Sequence, residues 1–324
     1  MQVSASVRAV QVPETNPMHP QFTTIYLVGR DQVLTIDSGA DEERYRWMLR
    51  GYLAATEKAE IGQCALTHFH SDHSANIRWL CEEFKAEGLV SAETAERLEA
   101  ASLPPRTARL DEGTVLSPNG GVRLQVLHTP GHSPDSTCFY LEDEGVLFTG
   151  DTILGGSTTA VQDLAAYMQS LRRLRALPNL RAICPGHGPI MDTPVEWIDE
   201  YIEHREERER QIVGELSNGE ALTSWQIMER IYSDVHPRLR RTADRNVRSH
   251  LEKLDREGRI RVHAGKPRTP DQAELAEREA EHRERLAVTR RADEYREQDR
   301  RRALLLQESP PVEEWLEPPR FELA

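Results

Sequence analysis

The feature that most restricts this chain is a short run, Thr67-His68-Phe69-His70-Ser71-Asp72-His73. His68 and His70 stand two apart in what reads as an extended loop, so both side chains point to one side. Asp72 and His73 follow where a helix should begin, with Ser71 placed to cap it. One loop can therefore serve two neighbouring metal ions. Imidazole and carboxylate suit zinc with a coordination position left open for water. Taken alone, such a hexamer is also compatible with chance or with an exposed polar patch.

Three further segments remove that ambiguity. His132 ends Leu127-His128-Thr129-Pro130-Gly131-His132, Asp151 lies in Phe148-Thr149-Gly150-Asp151-Thr152, and His187 lies in Cys184-Pro185-Gly186-His187-Gly188. Each ends an expected strand, and each follows a glycine, which lets the backbone approach closely. With the hexamer they supply five histidines and two aspartates, enough for two ions with open positions. His128 reads as an ordinary strand histidine.

The surrounding pattern is α/β. Residues 23–28 and 33–36 read as paired strands around Gly29-Arg30-Asp31. Residues 42–58 read as a helix, and residues 64–67 as a short buried strand feeding the histidine loop. Strands follow at 122–127, 137–141 and 145–148, then a helix at 164–177 and a last strand at 182–184. The recurrent motif is a strand that stops at a His or Asp beside Gly or Pro, at the loops where a rigid sheet presents chemistry.

These residues resemble the metallo-β-lactamase superfamily, whose signature is HxHxDH followed by His, Asp and His at strand ends. The resemblance implies an αβ/βα sandwich over residues 1–194. It also implies that His68, His70 and His132 bind one metal, that Asp72, His73 and His187 bind a second, and that Asp151 bridges them. The expected cofactor is two divalent ions, zinc first, although His/Asp sites also take manganese or iron. Such ions lower the pKa of a bridging water from about 15.7 towards about 7 and polarise the substrate oxygen. Asp72 is then the catalytic group that orients the nucleophile and moves its proton.

Beyond residue 194 the composition changes. Residues 195–220 read as a charged linking helix. Residues 221–262 outline a winged helix-turn-helix: Thr223-Ser224-Trp225-Gln226 resembles a capping box, and a second helix carries Val247, Leu251 and Leu254. Gly258 ends that helix before a short strand at 259–262. Residues 271–306 read as a solvated Glu/Arg-rich helix, and the segment from Ser309 as a mobile tail.

The run 150–159 with 163–171, Tyr201-Ile202-Glu203-His204-Arg205 and Asn246-Val247-Arg248-Ser249-His250-Leu251 resemble the animal β-lactamase-like protein 2 group. That resemblance implies endonucleolytic cleavage of single-stranded RNA. Residues 236–262 hold nine Arg and Lys against four acids, a local basic surplus in a chain of net charge −13. Arg238, Arg240, Arg241, Arg245 and Arg248 are the candidates for gripping a phosphate backbone. Pairing with acids elsewhere is the plain alternative. The rival function is hydrolysis of a small-molecule thioester or ester, as in glyoxalase II or fungal polyketide thioesterases, with the winged-helix unit as a lid or homodimer surface. The net charge argues against coating nucleic acid over the whole surface. There is no apolar stretch of membrane-spanning length, no leader pattern and no CxxC pair among Cys64, Cys81, Cys138 and Cys184, so a cytoplasmic protein is expected.

Overall fold

The computed structural model describes residues 1–13, 22–55, 59–118, 121–156, 158–273, 276, 310–311 and 313–324. It divides into two compact units, Met1–Thr159 with Ala165–Glu203, and Ala160–Leu164 with His204–Ala324.

In the first unit, strands β1 (Val7–Pro13), β2 (Phe22–Val28), β3 (Gln32–Ile36), β4 (Glu60–Ala65), β5 (Glu87–Val90) and β6 (Thr107–Arg109) form one sheet in that order. Its first three strands are antiparallel, and β3 to β6 are parallel. The second sheet runs β11 (Ala182–Pro185), β10 (Val146–Gly150), β9 (Thr137–Leu141), β8 (Leu124–His128), β7 (Val115–Leu116).

Strand β2 shows why the sheets stack. Successive side chains point to opposite faces, and both faces of this strand are apolar. Tyr26 and Val28 join Leu34, Ile36, Val126, Phe139, Phe148 and Cys184 in the core between the sheets. Ile25 and Leu27 turn the other way and pack with Tyr45 and Leu49 of helix α1 (Glu43–Ala55). Helices α2 (Ser71–Ser74), α3 (Ile77–Phe84) and α4 (Ala92–Arg97) follow, and Ile77 and Leu80 of α3 complete that outer core. Helix α5 (Leu164–Arg175) buries Tyr167, Leu171 and Leu174. This is the expected αβ/βα sandwich.

Strands β5 and β6, the last two at one end of the first sheet, were not expected. Thr107-Ala108-Arg109 has no apolar signature, and the strand exists because its backbone pairs with β5. All four cysteines are buried free thiols.

In the second unit, the C-terminal part of helix α6 (Pro194–Leu216) packs with α7 (Ser224–Ile231), α8 (Arg240–Arg256) and strand β12 (Ile260–His263). The capping box is formed: Gln226 N donates to Thr223 Oγ1, and Thr223 N donates to Gln226 Oε1. Val247, Leu251 and Leu254 face the core with Trp225 and Met228.

The expectation of a mobile tail is corrected for residues 313–324. Strand β13 (Lys266–Pro267) pairs with β14 (Trp315–Glu317), and β15 (Arg320–Leu323) pairs with β12 over four residues. Phe321 and Leu323 pack against the unit's apolar core. The prolines at 318 and 319 that suggested mobility lie between the two strands. The helix expected over residues 271–306 falls almost wholly outside the described residues.

Candidate metal centre

Strands β3, β4, β8, β10 and β11 end at Asp37, the histidine loop, His132, Asp151 and His187 respectively. Backbone contacts lash these ends together. Asp37 N donates to Ala65 O (2.8 Å), Thr137 N to Thr67 O (2.8 Å), Gly186 N to Gly150 O (2.8 Å) and Thr24 N to Gly186 O (2.9 Å).

The glycines that precede ligand candidates are sites of close approach. A Cβ at Gly186 would stand 2.5 Å from His73 Cε1 and 2.8 Å from Asp151 Oδ1. At Gly131, where φ is +145°, it would meet the Tyr167 backbone at 2.5 Å. One local expectation is corrected: Ser71 does not cap α2. His70 occupies that position with no side-chain cap, and its carbonyl accepts from His73 N and Ser74 N at 3.0 Å each. The four-residue helix is held through the backbone, and the Ser71 side chain is not needed.

Two groups of metal-ligating side chains result. His68, His70, His132 and Asp151 form one, and Asp72, His73 and His187 the other; within each, the donor atoms lie within 4.8 Å of one another. Asp151 reaches towards both. Its Oδ1 is 3.2 Å from His73 Nε2 and 3.5 Å from His187 Nε2, and its Oδ2 is 3.9 Å from His132 Nε2. Asp72 Oδ2 is 3.1 Å from His187 Nε2. Asp72 is 27% exposed where His73, Asp151 and His187 are at most 5%, so within the second group it is the ligand candidate that meets solvent.

The hydrogen bonds behind the rings test whether a metal fits. Thr67 Oγ1 donates its one proton to the Asp37 carboxylate (2.9 Å to Oδ2). It must therefore accept from His68 Nδ1 at 3.0 Å. That fixes the His68 proton on Nδ1 and leaves Nε2 as a bare lone pair. His73 Nδ1 likewise donates to Asp37 Oδ2 at 2.7 Å. His132 Nδ1 pairs with Thr159 Oγ1 (2.9 Å) and His187 Nδ1 with Thr23 Oγ1 (3.0 Å).

The inner nitrogens then converge. His68 Nε2 is 2.8 Å and His132 Nε2 3.1 Å from His70 Nδ1, and His73 Nε2 is 3.2 Å from His187 Nε2. A proton on His70 Nδ1 could satisfy only one of its two contacts at a time, whereas a metal ion among the donors satisfies all of them. The residues fit a metal.

Electrostatics agree. Burial, reinforced by the neighbouring histidines, holds His68 well below the usual imidazole range and pushes His70 down to about 4. Burial also disfavours charge on His73 and His187. The carboxylates outweigh it, Asp151, Asp37 and Asp72 at His73 and Asp151 with Asp72 at His187, so His73 lies well above its ordinary value and His187 is raised to about 9. Burial pushes Asp72 up, but His73 and His187 pull it below the carboxylate range. The second group thus attracts a cation, whether proton or metal.

Asp37, Thr67, Thr23 and Thr159 are the functional residues the sequence reading missed. Asp37 had a signal: Ile36-Asp37-Ser38-Gly39 is the same strand-to-Asp-beside-Gly pattern. The threonines carry none, since only the fold brings them behind a ring. His128 is in neither donor group.

The basic residues of the second unit are placed as follows. Arg240, Arg241, Arg245 and Arg248 lie on α8, and Arg238 in the preceding turn, Pro237–Leu239. Arg241 pairs with Glu313, and Arg248 with Asp244 (2.8 Å) and Glu314. Further along, Lys253 and Arg259 pair with Glu209, Arg256 with Asp163, and Arg261 with Glu322.

A two-sheet sandwich with paired His/Asp groups at its strand ends is the framework of a metal-dependent hydrolase. The family model "Metallo-beta-lactamase superfamily" matches residues 19–187, and "Beta-lactamase associated winged helix domain" matches residues 223–266. The chain belongs to the metallo-β-lactamase superfamily.

Among curated relatives, the β-lactamase-like protein 2 homologue of Caenorhabditis elegans is 34% identical over 258 residues, 79% of this chain and 86% of that one. The atrochrysone carboxyl ACP thioesterase of Aspergillus fumigatus is 37% identical over 217 residues, 66% of each chain. A metallo-β-lactamase family protein from Thermus thermophilus superposes with a TM-score of 0.66 at 24% identity, covering 80% of this chain and 96% of that one. At that identity the likeness speaks for the fold. Among the described residues, no helix is long and apolar enough to cross a membrane.

Proposed function

We propose that this chain is a binuclear metal-dependent hydrolase acting on single-stranded RNA. His68, His70 and His132 would hold one divalent ion, Asp72, His73 and His187 a second, and Asp151 both; zinc suits the donor set best, with manganese or iron as alternatives. When bound, the ions supply an activated water near neutral pH and Lewis-acid stabilisation of the developing oxyanion.

The chain's own residues do the rest. Thr67, Asp37, Thr23 and Thr159 fix the rings so that their lone pairs face inward. Asp72, ionised and partly exposed, is the base that accepts and returns a proton at its carboxylate.

The observation that supports RNA is the appended winged-helix unit, whose second helix, α8, carries a stripe of arginines of the kind that grips phosphates. A second reading, hydrolysis of an acyl thioester, is favoured by the 37% identity to the fungal ACP thioesterase.

Metal-loaded protein incubated with labelled single-stranded RNA, and separately with lactoyl-glutathione and acyl thioesters, tests this. RNA cleavage that disappears in Asp72→Ala supports the nuclease. Thioester turnover without RNA cleavage overturns it in favour of the second reading.

A further inference from the structure

We infer that Pro310, Glu313 and Glu314 form a built-in occupant of the RNA-binding face of α8, a pair of carboxylates standing where phosphates would bind. This rests on the RNA reading above.

Arg241 and Arg248 are seven residues apart, so they lie on one helix face about 10 Å apart along the axis. Both are already engaged, and by the same short segment. Arg241 donates to both carboxylate oxygens of Glu313 (3.1 Å from Nη2 to Oε2) and to the Pro310 carbonyl (3.2 Å). Arg248 donates to Glu314 while its Nε holds Asp244 at 2.8 Å.

The bidentate fork on Arg241 is the geometry in which guanidinium recognises a phosphate. Two consecutive acids thus fill two phosphate-gripping arginines. Strands β14 and β15 anchor the segment from its C-terminal side, which keeps the acids at high local concentration.

The occupant is displaceable. Glu314 is 45% and Arg248 27% exposed, and an ion pair of that exposure is individually weak, while Arg241 and Glu313, at 13% and 21%, are the more firmly held half. A single-stranded polyanion offers many phosphates and gains from counterion release, so it can replace the two carboxylates at low salt. The tail therefore raises the threshold for RNA binding and makes it less salt-sensitive, because an arginine that exchanges a carboxylate for a phosphate adds no counterion release.

The test is anisotropy of a labelled 20-nucleotide oligouridylate with the full metal-loaded chain, RNA integrity being checked on a gel. Glu313→Gln with Glu314→Gln should tighten binding about tenfold at 50 mM salt and steepen the log K against log salt slope by about 1.4, the value for two freed phosphate contacts on a single strand. Adding Arg241→Gln should remove at least half of the gain in log K; Arg248 is spared because it also holds the buried Asp244. The charge-matched control Glu207→Gln with Asp199→Asn, which removes the acids paired with Arg210 and Arg175, should change affinity less than twofold. Thermal melts report whether each variant is folded.

No gain, an equal gain in the control, or a gain untouched by Arg241→Gln overturns the inference. RNA cleavage by the wild-type chain is scored separately. Cleavage without a gain rejects the occupant alone, and a gain without cleavage rejects RNA as substrate while leaving the occupant standing as a guard over a polyanion-binding face.

Discussion

Asp37→Asn should disable the metal centre although Asp37 lies in neither donor group. Its carboxylate accepts from Thr67 N (2.8 Å), from Thr67 Oγ1 and from His73 Nδ1 (2.7 Å), all at most 2% exposed. An asparagine keeps the shape but can accept on only one side. If its oxygen faces His73, the Thr67 hydroxyl can still donate to it, since that hydroxyl lies 2.9 Å from the Oδ2 position. The amide NH2 then meets the Thr67 backbone N–H, which bonds Oδ1 at 2.8 Å and is left unsatisfied in the bend that leads into His68. The second group loses the negative charge behind His73.

Loss of a partner behind a ligand costs about 10- to 100-fold in metal affinity, or about 1.4–2.7 kcal/mol. The lost charge acts on the second group, so the ion held there should weaken. The assay is competition against a chromophoric chelator, with far-UV circular dichroism to show the fold intact. Affinities within twofold of wild type for both ions would refute the role of the Asp37 charge.

Three other outcomes follow from the same geometry. Gly186→Ala drives a methyl group into His73 and Asp151; overpacking of about 1–3 kcal/mol should appear as a 10- to 100-fold weaker hold on one ion in the same chelator assay. Metal binding at pH 7.5 should release at least one proton per chain, read from the buffer dependence of the calorimetric heat, because His187 (about 9) and His73 are held protonated until a metal replaces the proton. Buried His250, pushed down to about 3 by burial and by Arg205 and Lys253, lies below its unfolded value of about 6.5. The unfolded chain then binds more protons between those values. This contribution, at most about 4–5 kcal/mol, is complete above pH 6.5 and is lost as pH falls towards 3. Denaturant unfolding of His250→Leu across pH 4.5–7.5 should show a shallower pH dependence than wild type.

Much of the centre was legible because its ligands are adjacent in sequence or end strands beside glycine. His68 to His73 are neighbours, and His132, Asp151 and His187 each advertise themselves through Gly131, Gly150 and Gly186. The helices of the second unit were legible from capping and periodicity, as at Thr223 and along Val247, Leu251 and Leu254.

What could not be read depends on distant pairing. Thr23 meets His187 across 164 residues, and no local pattern marks it. Strand β6 is made by its neighbour. The β15 strand looked like a proline-bearing tail because the partner that orders it, β12, lies some sixty residues earlier. The charge surplus of residues 236–262 was read from the sequence, but Glu313 and Glu314, which meet Arg241 and Arg248, come from that same distant part of the chain.

The central claim is a two-ion centre held by His68, His70, Asp72, His73, His132, Asp151 and His187. Metal content per chain, measured by plasma mass spectrometry after exhaustive dialysis, tests it most directly. The account predicts about two ions for wild type and about one for His187→Ala, with hydrolytic activity lost in step. A wild-type chain that holds no more than one ion, or a His187→Ala chain that still holds two, would contradict it.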